Sequence, residues 1–138
     1  MRRCWLGAAF FWCISAHHAL AQANLVERNF NAAAGRDTRV GVYTSIRPDC
    51  TSGPLPSIRL ASAPAHGTVT VKRATLKATN IKQCLAIDVP AFAAYYRAAS
   101  DYTGIDDFLL EVTFTGGRRE VQHFKVSVSN SAGGGQGI

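Results

Sequence analysis

PAHGTVTV, residues 64–71, and YRAASDYTGIDDFLLEV, residues 96–112, decide how the rest of this chain reads. In the first, His66-Gly67 forms a turn that opens an alternating strand, with Val69 and Val71 on one face and Thr68, Thr70 and Lys72 on the other. In the second, the loop Asp101-Tyr102-Thr103-Gly104 feeds a strand whose Phe108, Leu110, Val112 and Phe114 share a face. A period of two buries one side of a strand and wets the other. The two stretches therefore predict neighbouring strands of an all-β sandwich.

Working outward, Phe108–Thr115 and Glu120–Val128 flank Gly116-Gly117-Arg118-Arg119 and predict a hairpin, with Phe124, Val126 and Val128 inward. Ala91–Ala98 passes for a helix on alanine content, but Phe92, Tyr95 and Tyr96 favour a strand. Before the turn, Ser57–Ala63 predicts a short strand with Ile58 and Leu60 inward, ended by Pro64. Arg39–Ile46 alternates, placing Val40, Val42, Thr44 and Ile46 on one face, and Gly35-Arg36-Asp37 is the turn that leads into it. Asn24–Asn31 is a first strand anchored by Leu25 and Phe30. Residues 47–56 (RPDCTSGPLP) are rich in turn formers and predict a surface loop. Ala74–Pro90 is partly extended, because Ile81, Gln83, Leu85, Ile87 and Val89 alternate, with Cys84 on the opposite face. About seven short strands and almost no helical period predict an all-β, immunoglobulin-like sandwich.

The N-terminus reads as a leader. Met1-Arg2-Arg3 is a positive start, Cys4–Ser15 is apolar, and small residues at Ala16, Ala19, Ala21 and Ala23 offer cleavage sites after Ala21 or Ala23, the second favoured. The apolar run is shorter than the roughly 20 residues a bilayer span needs. The expected organisation is a signal peptide over 1–23, a sandwich over 24–128 and a glycine-rich tail over 129–138. Periplasmic or secreted localisation follows.

The exported part has about 115 residues, enough for one modest core. Its 13 Lys and Arg exceed its 9 Asp and Glu by four, mildly basic and without any nucleic-acid-binding motif. Cys50 and Cys84 are its only cysteines, and in an oxidising compartment they predict one disulfide.

PxHGTV at Pro64–Val69, Tyr96, and the YTGxDxF pattern at Tyr102–Phe108 resemble bacterial cadherin-like and immunoglobulin-like modules, often found in tandem in exported proteins. The resemblance spans Pro64 to about Val128 and implies a β-sandwich used for structure, adhesion or partner binding. It implies calcium between repeats for some relatives. Two departures are evident: a single copy is present, and Ala74–Pro90 is inserted where such modules make a tight turn.

Chemistry-bearing residues are few. Asp101, Asp106, Asp107 and Glu111 surround the Tyr102–Gly104 loop, and hard oxygen donors suit calcium. Their spacing is not an EF-hand and the cadherin DxD and DxND strings are absent, so Asp106 is expected instead to accept backbone N–H bonds. His66 and His123 lack the companions a zinc or copper site needs, and no cofactor is implied. No G-x-S-x-G elbow or phosphate loop is present, which predicts a non-catalytic protein. The rival is a small secreted hydrolase or metal-binding protein, which a cleft joining His66 or His123 to carboxylates would favour. Tyr95, Tyr96 and Tyr102 offer faces for a sugar, though alternation assigns Tyr96 and Tyr102 to the core. Charge is segregated: Thr68–Ala86 holds Lys72, Arg73, Lys77 and Lys82 and no acid, whereas Ala99–Glu111 holds four acids and no cation. The four cations read as a binding surface in or beside the inserted segment. The matching partners are an acidic glycan, lipid head groups, or another envelope protein, including the acidic loop of a second copy.

Overall fold

The computed structural model of the chain describes residues 22–79, 81 and 83–130. The leader, apart from Gln22 and Ala23, lies outside the described residues, as do Lys82 and the tail from 131 onward. Among the described residues no helix is long and apolar enough to cross a membrane.

Seven strands account for the fold: β1 (Asn24–Ala33), β2 (Asp37–Thr44), β3 (Ser57–Ser62), β4 (Gly67–Ala78), β5 (Ile87–Ala98), β6 (Gly104–Thr113) and β7 (Arg119–Ser129). Sheet A has the order β1-β7-β6-β3 and sheet B the order β2-β5-β4. They face each other as an immunoglobulin-like sandwich. β1 runs parallel to β7, and the other pairs are antiparallel.

The core is built as the alternation predicts where strands are regular. Phe108, Leu110 and Val112 of β6 face inward with Phe124, Val126 and Val128 of β7, all buried. Four aromatic rings continue across the layers: Phe30 on Phe124 at 5.9 Å, Phe124 on Phe108 at 4.7 Å, and Phe108 on Tyr96 of β5 at 5.8 Å. Such offset ring contacts add a little to the area they bury. The β6–β7 turn uses Gly116 and Gly117, both at positive φ. At the β1–β2 crossing, Ala34 N–H donates to Ser129 and Gly35 N–H to Ala98, so one turn ties sheet A to sheet B.

Four expectations need correction. In β1, Phe30 packs on the core but Leu25 is exposed. In β2 the register shifts between Arg39 and Gly41, which inverts the pattern beyond Val40. Val40 and Tyr43 point inward while Val42 is exposed, and Ile46 lies past the strand. In β3, Ile58 packs on the core but Leu60 is exposed, because β3 is an edge strand with its own register shift before Ser62. The inserted Ala74–Pro90 segment is mostly ladder: β4 runs to Ala78 and β5 starts at Ile87, adding five rungs to the hairpin. Residues 79–86 alone connect them, and Leu85 projects into solvent. Pro90 is tolerated within β5 because pairing to β2 ends at Ala91, where that side of β5 needs no N–H.

Cys50 and Cys84 are joined, with Cα atoms 5.5 Å apart. The bond fastens the 45–56 loop to the far end of the β4–β5 hairpin. Cys84, Ala78 and Val89 are buried there, apart from the main core cluster.

Candidate functional site

The residues of the PxHG and YTGxD patterns meet at one end of the sandwich. Pro64 is buried and β4 begins at Gly67. A Cβ at Gly67 would lie 2.6 Å from the Arg97 carbonyl and 2.7 Å from the Tyr96 ring, so the close approach of β5 requires glycine. His66 stacks flat on Tyr102 at 3.9 Å, and the Tyr102 hydroxyl donates to the Ile105 carbonyl. Asp106, buried, accepts from four donors: the N–H groups of Ala65, His66 and Asp107, and the Tyr96 hydroxyl. Asp106 thus holds the loop by accepting N–H bonds, as expected. A shallow groove of about 710 Å³ adjoins this end, lined by His66, Gly67, Arg97 and Ser100 among others, with no carboxylate among its described lining residues.

The acids of Ala99–Glu111 do not converge. Asp106 and Asp107 are adjacent on β6 and so point to opposite faces, while Asp101 is exposed in the preceding loop. Glu111 lies farther along β6, held by Arg59 and Arg119 at 2.9 Å each; their bonds draw its carboxyl below the usual range. No calcium shell is formed from Asp101, Asp106 and Asp107. Among the described residues, no three His, Cys, Asp or Glu side chains are placed to hold a metal.

His123 sits on the outer face of sheet A, with Nε2 3.1 Å from Asp107 and Nδ1 3.1 Å from Glu27. The two carboxylates, Asp107 first, raise its pKa above the usual histidine value. Ser62 lines the same cleft of about 350 Å³, so serine, histidine and aspartate do approach one another. Both ring nitrogens are nevertheless engaged by carboxylates, which leaves none to take a hydroxyl proton. At the other end of the core, the Tyr43 hydroxyl donates to buried Gln122 at 2.6 Å, and burial pushes its pKa up to about 12.

The cations are not gathered into one patch. Lys72 and Arg73 are neighbours on β4 and therefore lie on opposite faces of sheet B. Lys72 stands 5.5 Å from the Tyr95 ring on the outer face, where Arg39 of β2 is paired with Tyr95. Arg73 lines a second groove of about 710 Å³, at the open side of the sandwich between β4 and β3, with Leu55, Ile58, Val71 and Phe92. Lys77 reaches Asp88 at 3.7 Å, both well exposed, and Lys82 lies outside the described residues. The tyrosines also separate: Tyr96 is buried, Tyr102 caps the loop, and Tyr95 alone faces outward. Arg39 was missing from the expected set because it is distant in sequence. Its signal was the strand alternation of Arg39–Ile46, which put Arg39 on the outward side.

No family model matches the chain, and no curated protein matches it in sequence. Among solved structures, the solution structure of Amebosin aligns over 78% of this chain and 99% of its own, at 9% identity and a TM-score of 0.41. A likeness of that size carries no argument about function.

Proposed function

We propose that this chain is an exported, disulfide-stapled β-sandwich that holds an anionic partner in the cell envelope without catalysis of its own, in the manner of the cadherin-like modules it resembles. The observation that carries this reading is the fate of the charges. Among the described residues, Asp37, Asp88, Glu111 and Glu120 are in ion pairs, Glu27 and Asp107 flank His123, Asp106 and Asp49 are in hydrogen bonds, and exposed Asp101 alone has neither. Arg39, Lys72 and Arg73 of sheet B meet no acid. Part of the positive surplus is thus left on the surface of sheet B; elsewhere among the described residues Arg28, Arg36, Arg47 and Lys125 also have no ion pair. A buried carboxylate with four donors and a histidine with both nitrogens engaged are structural uses of the groups a hydrolase would need. The disulfide suits an oxidising, extracytoplasmic compartment; periplasmic or secreted residence is part of the proposal.

Retention of the oxidised protein on acidic polysaccharide, anionic vesicles and immobilised envelope extract tests the reading. Binding to at least one should weaken with added salt, since the screening length is about 8 Å at physiological ionic strength. Replacing Lys72, Arg73, Lys77 and Lys82 together by Ser should release it. Retention unchanged on all three supports, with the circular dichroism of the parent protein, overturns the proposal.

A further inference from the structure

Each sheet of the sandwich ends in two open edges, and these differ in how they are guarded. β2 carries a register shift at Arg39–Gly41, and β3 has six residues, a register shift, and Pro56 and Pro64 close to its ends. Bulges, prolines and short length are the usual devices against unwanted strand pairing. β1 is longer, but its edge alternates signs, with Glu27 beside Arg28. β4 is different. It pairs with β5 through twelve consecutive residues without a register shift, and among the described residues no strand pairs with its other side. Thr70–Thr75 are exposed without interruption. On such a strand, alternate residues point both N–H and C=O away from the one neighbour they have. Among the described residues no loop backbone bonds to them.

Three features decide what this edge accepts. Its charged residues, Lys72, Arg73 and Lys77, are all positive. A second copy pairing β4 to β4 would set these cations against one another with no acid between them, and like charges facing across a ladder destabilise it. Beside the edge, the β4–β3 groove presents Ile58, Val71, Phe92 and Leu55 with Arg73 at its wall. A strand placed next to β4 has one set of alternate side chains over this groove and the other set beside Lys72 on the outer face. Strand addition of this kind draws affinity from main-chain bonds and specificity from alternate side-chain pockets.

We propose that the open edge of β4 takes up an extended acidic segment of a partner protein as an added strand of sheet B, its alternate apolar side chains lodged in the groove between β4 and β3. The inference rests on the binding role proposed above and names its partner class. The acids of the incoming strand meet Lys72 on the outer face, while its apolar side chains pass Val71, Ile58 and Phe92 in the groove.

The test uses the oxidised protein and three blocked ten-residue peptides: alternating Glu and Val, the same peptide with alternate backbone nitrogens methylated, and alternating Lys and Val. Alginate and anionic phosphatidylglycerol vesicles are run alongside. The Glu–Val peptide is expected to saturate the protein and to protect amides within Thr70–Thr75 from hydrogen exchange. Methylation, which removes edge donors while keeping every charge, should weaken it by about tenfold or more. The Lys–Val peptide should not bind, and Lys72→Glu and Val71→Glu should each weaken the Glu–Val peptide by about tenfold; both sites are exposed, so the fold is retained. Equal binding of the methylated peptide, or protection located away from β4, overturns the added strand. Binding of alginate or vesicles but not of the Glu–Val peptide overturns it too, while leaving the broader anionic-partner reading in place. Failure of every anionic probe removes both.

Discussion

Tyr96 of β5 donates its hydroxyl to Oδ2 of Asp106 on β6 at 2.7 Å, both side chains buried, and this bond joins sheet B to sheet A. The same carboxylate takes the N–H groups of Ala65 and His66 just before β4, so one side chain fastens the turn, the tyrosine and the loop after β5. Burial, with the Asp106 bond next, raises the Tyr96 pKa, so the phenol stays protonated as the donor. Asp106→Asn puts an amide NH₂ where an acceptor is required and opposes donor to donor. The expected loss is about 3 kcal/mol or more, since hydrogen bonds to a charged acceptor count roughly 1.5–3 kcal/mol each and are not additive. Tyr96→Phe removes one donor of four and should cost less. Chemical denaturation of the two variants checks the order; an Asp106→Asn protein as stable as the parent would refute the clamp.

Gly67 offers a steric test of the same corner. Its Cβ would meet the Arg97 carbonyl, which is backbone and cannot swing aside. Gly67→Ala should therefore destabilise by about 1–3 kcal/mol, as overpacking does. The readout is the midpoint of urea unfolding. An unchanged or higher midpoint contradicts the close approach.

Strands were legible where one face is continuously buried. Phe108 to Val112 and Phe124 to Val128 follow a strict period of two, and the paired strands β6 and β7 obey it. The pattern misled at Val42, because a single extra residue in β2 turns every later side chain over, and no residue type announces that shift. It fell short at Ala74–Ala78, where Lys77 and two alanines hide an extension of β4. The structural role of Asp106 was legible from its place beside a glycine loop. That Lys72 and Arg73 oppose each other was implicit in the alternation already assigned to the strand. The partnership of His123 with Glu27 and Asp107 was not, since it joins β1, β7 and β6 over long separations.

That histidine makes stability depend on pH. Glu27 of β1 and Asp107 of β6 face it, and Lys125, paired with Asp107, is the nearest cation on its own strand. The folded-state pKa lies above the unfolded value of about 6.5, so the stabilisation is complete below that value and lost as pH rises through the folded one. Thermal midpoints should decline as pH rises above about 6.5, and His123→Gln should flatten the decline. The same slope in parent and variant assigns the effect elsewhere.

The disulfide is the strongest single constraint on the β4–β5 hairpin. It closes a loop with a sequence separation of 34, for which chain entropy gives roughly 3.5–4 kcal/mol. Cys50 is held at φ 66°, a left-handed conformation that costs a side-chain-bearing residue about 1–2 kcal/mol, and a serine in the same turn bears that cost equally, so it offsets none of the gain. A loss of about 2–4 kcal/mol is expected for the Cys50→Ser, Cys84→Ser protein, or a fall in thermal midpoint of roughly 10–15 °C for a domain of this size. The loss should be uneven along the chain. The loop 45–56 keeps its own turn bonds, from Arg47 N–H to Thr51 and from Cys50 N–H to Arg47, so it persists locally. Gln83, which donates to the Pro48 carbonyl, has no covalent reason to stay once the bridge is gone. Hydrogen exchange should therefore quicken most in 79–86 and at the Leu76–Val89 end of the ladder, and least at Val69–Tyr96, where the core holds β4. Uniform acceleration along β4 would mean that the bridge stabilises the whole sandwich through the unfolded chain alone, without organising the hairpin end.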